Sequence, residues 1–146
     1  MKTIYLIDSN ILVYALNSKS EYHKRALRII QQAFSGKVEA CVAPQNLYEA
    51  YAVITDPRRV EKPLTPSQAI TALRSNYLNN PVLKKIYPRL TTPVTVFDLL
   101  KKHGVKSQGI FDLVLVATMI DNGIKGIYTL DTKRFKRFKF FEVIGI

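Results

Sequence analysis

The stretch Lys2-Thr-Ile-Tyr-Leu-Ile-Asp8-Ser9-Asn10-Ile-Leu-Val-Tyr-Ala-Leu16 sets the architecture. Lys2 to Ile7 is short, apolar and rich in β-branched residues, and Asp8 stops it, which is the pattern of a buried strand. Directly after it, Ser9 or Asn10 can cap a short helix through Leu16. A buried strand followed at once by a capped helix is a βα unit, and the alternation continues down the chain.

Ser20 is placed to cap a helix from about Glu21 to Phe34, with Gly36 just past its end. Val38 to Val42 reads as a second strand. Pro44 suits the first turn of a helix carrying Leu47, Tyr48, Tyr51, Ala52 and Ile54, and Asp56-Pro57 ends it. Residues 57–64 form a basic loop, and Thr65-Pro66 starts a helix reaching roughly Leu78. Val82 to Tyr87 is a third strand candidate despite its two lysines. Thr92-Pro93 opens a helix that stops at His103-Gly104, and Gly109 to Asn122 is the most apolar helix. Ile127 to Leu130 and Phe140 to Ile144 complete the strands. Strands alternating with helices predict a parallel sheet covered on both faces. The expected fold is α/β, a three-layer α/β/α sandwich around four to five short parallel strands, with residues 1–146 as one domain.

The chain has 146 residues, 22 of them basic and 11 acidic, for a net charge of +11. That excess points to an anionic partner, with nucleic acid the first candidate and an anionic membrane surface the second. The N-terminal apolar run is short and broken by Asp8, so no signal peptide is expected. No apolar segment approaches the roughly 18 residues that span a bilayer, so a soluble protein is expected. Cys41, the single cysteine, lies in Ala40-Cys-Val-Ala43 and reads as a buried structural thiol, in keeping with a reducing cytosol.

Against this basic background four acids stand out. Asp8 lies at a strand end and Asp131 just past another, where open parallel α/β sheets bind ligands. Glu49 sits among Leu47, Tyr48, Ala50 and Tyr51, and Asp112 between Ile110-Phe111 and Leu113-Val-Leu-Val116. Carboxylates in such apolar company need a partner. A shared divalent cation is one, an arginine or lysine the other, and pattern alone weighs them about equally. Oxygen ligands without a His–Cys cluster favour Mg²⁺ or Mn²⁺ over zinc. Such an ion activates water and neutralises a phosphodiester, while basic groups bind the nucleic-acid backbone.

Taken in order, these segments resemble the PIN domain, specifically the VapC-type ribonuclease toxins. The likeness rests on Ile4-Tyr-Leu-Ile-Asp8-Ser9-Asn10, Ala43-Pro44-Gln45-Asn-Leu-Tyr-Glu49, Ile110-Phe111-Asp112-Leu113 leading into Ala117, and Tyr128-Thr129-Leu130-Asp131 followed by Phe135. It implies an α/β/α sandwich and metal-dependent endoribonuclease activity, with in-line attack of water leaving 5′-phosphate and 3′-hydroxyl ends. By resemblance Asp8, Glu49, Asp112 and Asp131 form an acidic quartet, with Asp8 and Asp112 the foremost metal ligands. Ser9, Asn10 and Thr129 are candidates to hold the carboxylates or waters by hydrogen bonds. Ser9 and Asn10 read equally well as plain helix caps. The resemblance further implies a homodimer in the cytoplasm, silenced by a small antitoxin that inserts a segment near the active site. The alternatives are a non-catalytic RNA-binding protein of the same fold and a housekeeping RNA-processing nuclease without an antitoxin.

Lys133-Arg134-Phe135-Lys136-Arg137-Phe138-Lys139 interleaves cations with aromatics. It is read as Phe135 and Phe138 packed inward, with Lys133, Arg134, Lys136 and Arg137 as an RNA-binding rim. His23, at a helix start, and His103, at a helix end, have no paired constellation and read as capping or surface residues.

Overall fold

The computed structural model describes residues 3–146. Lys2, the first residue of the predicted opening strand, lies outside the described residues. Five strands form one wholly parallel sheet: β1 (Ile4–Ile7), β2 (Glu39–Val42), β3 (Lys84–Lys85), β4 (Gly126–Thr129) and β5 (Glu142–Gly145), in the spatial order β3-β2-β1-β4-β5. The helices are α1 (Ser9–Leu16), α2 (His23–Phe34), α3 (Pro44–Ile54), α4 (Pro66–Leu73), α5 (Thr92–His103), α6 (Ile110–Asp121) and α7 (Thr132–Lys136).

Strand alternation divides the core in two. Ile7, Ala40, Val42 and Tyr128 pack against α1 to α4 through Ile11, Leu12, Ala26, Ile30, Ala50 and Leu73. Leu6, Cys41, Ala43 and Ile127 face the other side, against Leu113, Leu115, Val116 and Met119 of α6 and Phe135 of α7. Successive residues of a strand point to opposite faces, so each short strand serves both layers. This is the expected α/β/α sandwich.

Several boundaries differ from the sequence reading. Asp8, not Ser9 or Asn10, is the N-cap of α1: it has extended backbone dihedrals and its carboxylate accepts from the Ser9 N–H at 2.8 Å. Ser20 does not cap α2. Its hydroxyl accepts from the Tyr22 N–H at 3.1 Å in a turn, and the helix begins at His23. The helix expected to reach Leu78 leaves α geometry after Leu73 and continues as a π-helical turn, Arg74–Leu78, that buries Tyr77. The Tyr77 hydroxyl donates to the Leu12 carbonyl at 2.8 Å, tying this turn to α1. The third strand shrinks to two residues at the sheet edge. Glycine is required at 126, because a Cβ there would lie 2.4 Å from the Tyr5 ring.

Candidate active site

Helices after β1 pack on one face of the sheet, whereas α7 after β4 packs on the other. The carboxyl ends of β1 and β4 are therefore the switch point, where this class of sheet opens a crevice. Asp8 and Thr129 stand at those ends, and the Asp8 N–H donates to the Tyr128 carbonyl at 3.0 Å.

Asp8 is completely buried. One carboxylate oxygen accepts from the Ser9 N–H at 2.8 Å and the Ser9 hydroxyl at 3.4 Å. The other accepts from the Thr129 hydroxyl at 2.7 Å and Asn10 Nδ2 at 3.3 Å. Ser9 and Asn10 thus lie in the first turn of the helix that Asp8 caps; neither is the cap, and both donate to the Asp8 carboxylate. Burial pushes the Asp8 carboxyl above the usual carboxylate range, with Asp112 adding to it. Arg134, Thr129 and the Ser9 N–H offset only part of that shift.

The other acids come from three elements. Glu49, half-buried on α3, accepts from the Ser9 hydroxyl at 3.2 Å and from Gln45 Nε2 at 2.8 Å. Gln45 also donates to the Phe111 carbonyl at 2.8 Å, fixing α3 against the start of α6. Asp112 lies in the first turn of α6, the end where the helix dipole favours a negative charge. Asp131 caps the short α7, and its exposed side chain lines the cleft without a hydrogen-bond partner among the described residues.

Arg134 is set deeper than the rim role predicted for it. Its guanidinium lies between two of the acids, 2.6 Å from Asp112 Oδ1 and 3.5 Å from Asp8 Oδ2. Burial opposes its charge, but Asp112, Asp8 and Glu49 outweigh burial and hold it above the ordinary guanidinium range. Arg137 approaches the other Asp112 oxygen at 3.9 Å. Phe135 and Phe138 are core residues as expected, while Lys133 and Lys136 are exposed. The cleft between α1, α3 and α7 measures about 400 Å³ and is lined by Ser9, Asn10, Glu49, Asp131, Arg134 and Arg59, among others. The histidines have structural partners: His23 Nδ1 is 2.8 Å from the Tyr14 carbonyl, and His103 meets the Phe138 ring edge-on. Cys41 is fully buried, and burial pushes its thiol up to about 12.

The all-oxygen donor set suits a hard divalent cation. Yet among the described residues no three acidic, histidine or cysteine side chains gather closely enough to hold one ion. Asp8 and Asp112 instead share a guanidinium. Of the two partners weighed for these acids, the structure shows the arginine, set between carboxylates whose oxygens would suit a metal. The roles of Arg134 and Gln45 escaped the sequence reading. For Gln45 a signal existed, its i, i+4 spacing from Glu49.

The comparisons with known proteins agree with this fold. The PIN domain model matches residues 5–141. Ribonuclease VapC37 of Mycobacterium tuberculosis is 26% identical over 132 residues, covering 90% of this chain and 91% of that protein. Among solved structures, a chain of VapBC2 from Rickettsia felis, crystallised with a DNA fragment from its promoter, superposes with a TM-score of 0.67. It is 20% identical, with 99% of each chain covered. VapC20 of Mycobacterium tuberculosis, a toxin that cleaves the sarcin–ricin loop, gives a TM-score of 0.67 at 14% identity over 93% of this chain and 95% of that one. With the family model covering nearly its whole length, this chain belongs to the PIN domain family.

Proposed function

We propose that this protein is a divalent-metal-dependent endoribonuclease and the toxin of a type II toxin–antitoxin pair. One observation carries the reading: a completely buried aspartate at the sheet's switch point shares a guanidinium with a second aspartate and a serine with a glutamate. Burying a carboxylate is unfavourable, and one kept beside further acids at the edge of a cleft marks a candidate functional site. The ribonuclease name of the 26% identical relative and the VapC and VapBC structures of the same fold support the assignment.

Asp8 and Asp112 would hold the ion, Mg²⁺ or Mn²⁺, with Glu49 and Asp131 completing its shell directly or through water. When bound, such an ion lowers the pKa of a coordinated water and neutralises charge on the phosphodiester. The chain's own residues supply the rest. Ser9, Thr129 and Asn10 fix both oxygens of Asp8, so its carboxylate cannot rotate away. Gln45 fixes Glu49. The exposed Lys133 and Lys136, with Arg137 and Arg59, hold the RNA backbone beside the cleft. A cytoplasmic homodimer silenced by a small antitoxin completes the reading. No described helix is long and apolar enough to cross a membrane.

The test is cleavage of total RNA by Asp8→Asn and Asp112→Asn proteins with Mg²⁺ or Mn²⁺. Loss of cleavage in both folded variants is expected, and undiminished cleavage overturns the assignment. RNA that is bound but uncut by the wild type would favour the non-catalytic reading.

A further inference from the structure

Arg134 occupies the position that the proposed metal reading assigns to a cation. Its Nη2 is 2.6 Å from Asp112 Oδ1 and its Nη1 is 3.5 Å from Asp8 Oδ2. Mg²⁺ takes its oxygens at about 2.0–2.1 Å with near-octahedral demands. An ion engaging those same two oxygens would lie against the guanidinium, in a buried setting where like charges are poorly screened. Arginine cannot escape by losing its proton, so it must move. The structure leaves it somewhere to go: α7 has only five residues, its side chain is 27% exposed, and it borders the 400 Å³ cleft.

We infer that Arg134 is a resident counter-cation that competes with the divalent ion. In the metal-free protein it neutralises Asp8 and Asp112, and metal loading expels it from both carboxylates into the cleft. The inference rests on the metal-nuclease reading and adds to it a built-in threshold for metal, set by one side chain of this chain.

Mn²⁺ affinity measured calorimetrically without RNA tests this. Arg134→Gln should bind Mn²⁺ about tenfold or more tightly than wild type. Arg134→Lys, which keeps the charge, should fall between them. Equal or weaker binding by a folded Arg134→Gln protein overturns the competition. Should that variant fail to fold, the wild type provides the same test through its Arg134 Nε–H resonance. With diamagnetic Mg²⁺ that resonance should shift with the midpoint of metal binding, and an unmoved resonance while Mg²⁺ binds overturns the inference. Asp8→Asn separates the two readings. If it abolishes Mn²⁺ binding while Arg134→Gln matches wild type, the metal site stands and the competition falls. If no folded form binds Mn²⁺, both fall.

Discussion

The Thr129 hydroxyl, at the end of β4, donates to Asp8 Oδ2, at the end of β1, across 2.7 Å. It joins the central strand β1 to its neighbour β4 at the point where the chain reverses its helix layer, and it orients the fully buried acid of the four. Thr129 is itself fully buried. Thr129→Val keeps the shape and removes the donor. Losing a buried donor to a carboxylate is expected to cost about 1–3 kcal/mol of stability, and losing a group that orients a proposed metal ligand about 10–100-fold in cleavage. Urea unfolding and RNA cleavage measure the two effects, and Thr129→Ser should restore most of both.

Asp8 also governs pH dependence. Its folded carboxyl lies above the ordinary aspartate value of 3.8, chiefly through burial. The folded state therefore binds this proton more tightly than the unfolded state. The associated stability is fully present below about 3.8 and is lost as pH rises through the folded value. Asp8→Asn removes that loss. The variant should melt above wild type at neutral pH, with the gap closing as pH falls towards 3.8. An equal gap at all pH values would contradict the assignment of the shift to Asp8.

Asp121 behaves in the opposite sense. Burial works against its charge, but the hydroxyls of Thr92, Thr95 and Thr91 at 2.7, 2.9 and 3.3 Å hold its carboxyl below the usual range. These bonds fasten α5 to α6, the helix that carries Asp112. Their stabilisation is present above about 3.8 and is lost as pH falls through the lower folded value. Thr92→Val, at a buried position, should cost about 1–2 kcal/mol at pH 7. Thermal melts across the acid range should show the difference shrinking there.

The exposed cations of α7 are proposed to contact RNA. Charge reversal at Lys133 and Lys136 should weaken RNA binding and flatten its salt dependence by about 0.7 per lost phosphate contact for a single strand. Fluorescence anisotropy over a salt series measures this, and an unaltered slope removes these lysines from the interface.

The sequence made the sheet, its two covers and the positions of the four acids legible, because each sits at a boundary with its own chemistry. Asp8 ends an apolar β-branched run, Glu49 lies within a proline-started helix, and Asp112 opens the most apolar helix. Legibility failed where only tertiary contact decides the outcome. Helix α7 spans five residues, too few for a helical period to register, so Arg134 looked like one more rim cation. Its direction is set by Phe135, which anchors the helix in the core and turns the preceding residue towards Asp112. Strand β3 shrank for a similar reason: exposed Lys84 and the half-buried Lys85 pair with β2 as an edge, where only two residues meet. The cap of α1 was misplaced by one or two residues because Asp8 both ends the strand and accepts from the helix.

The most direct measurement of the central claim is cleavage of a defined RNA by wild type and Asp112→Asn, with product ends mapped, in Mg²⁺ and in chelator. The account predicts cuts with 5′-phosphate and 3′-hydroxyl ends that require the ion and disappear in the folded variant. Cleavage that persists in chelator, or that Asp112→Asn carries out at the wild-type rate, would contradict it.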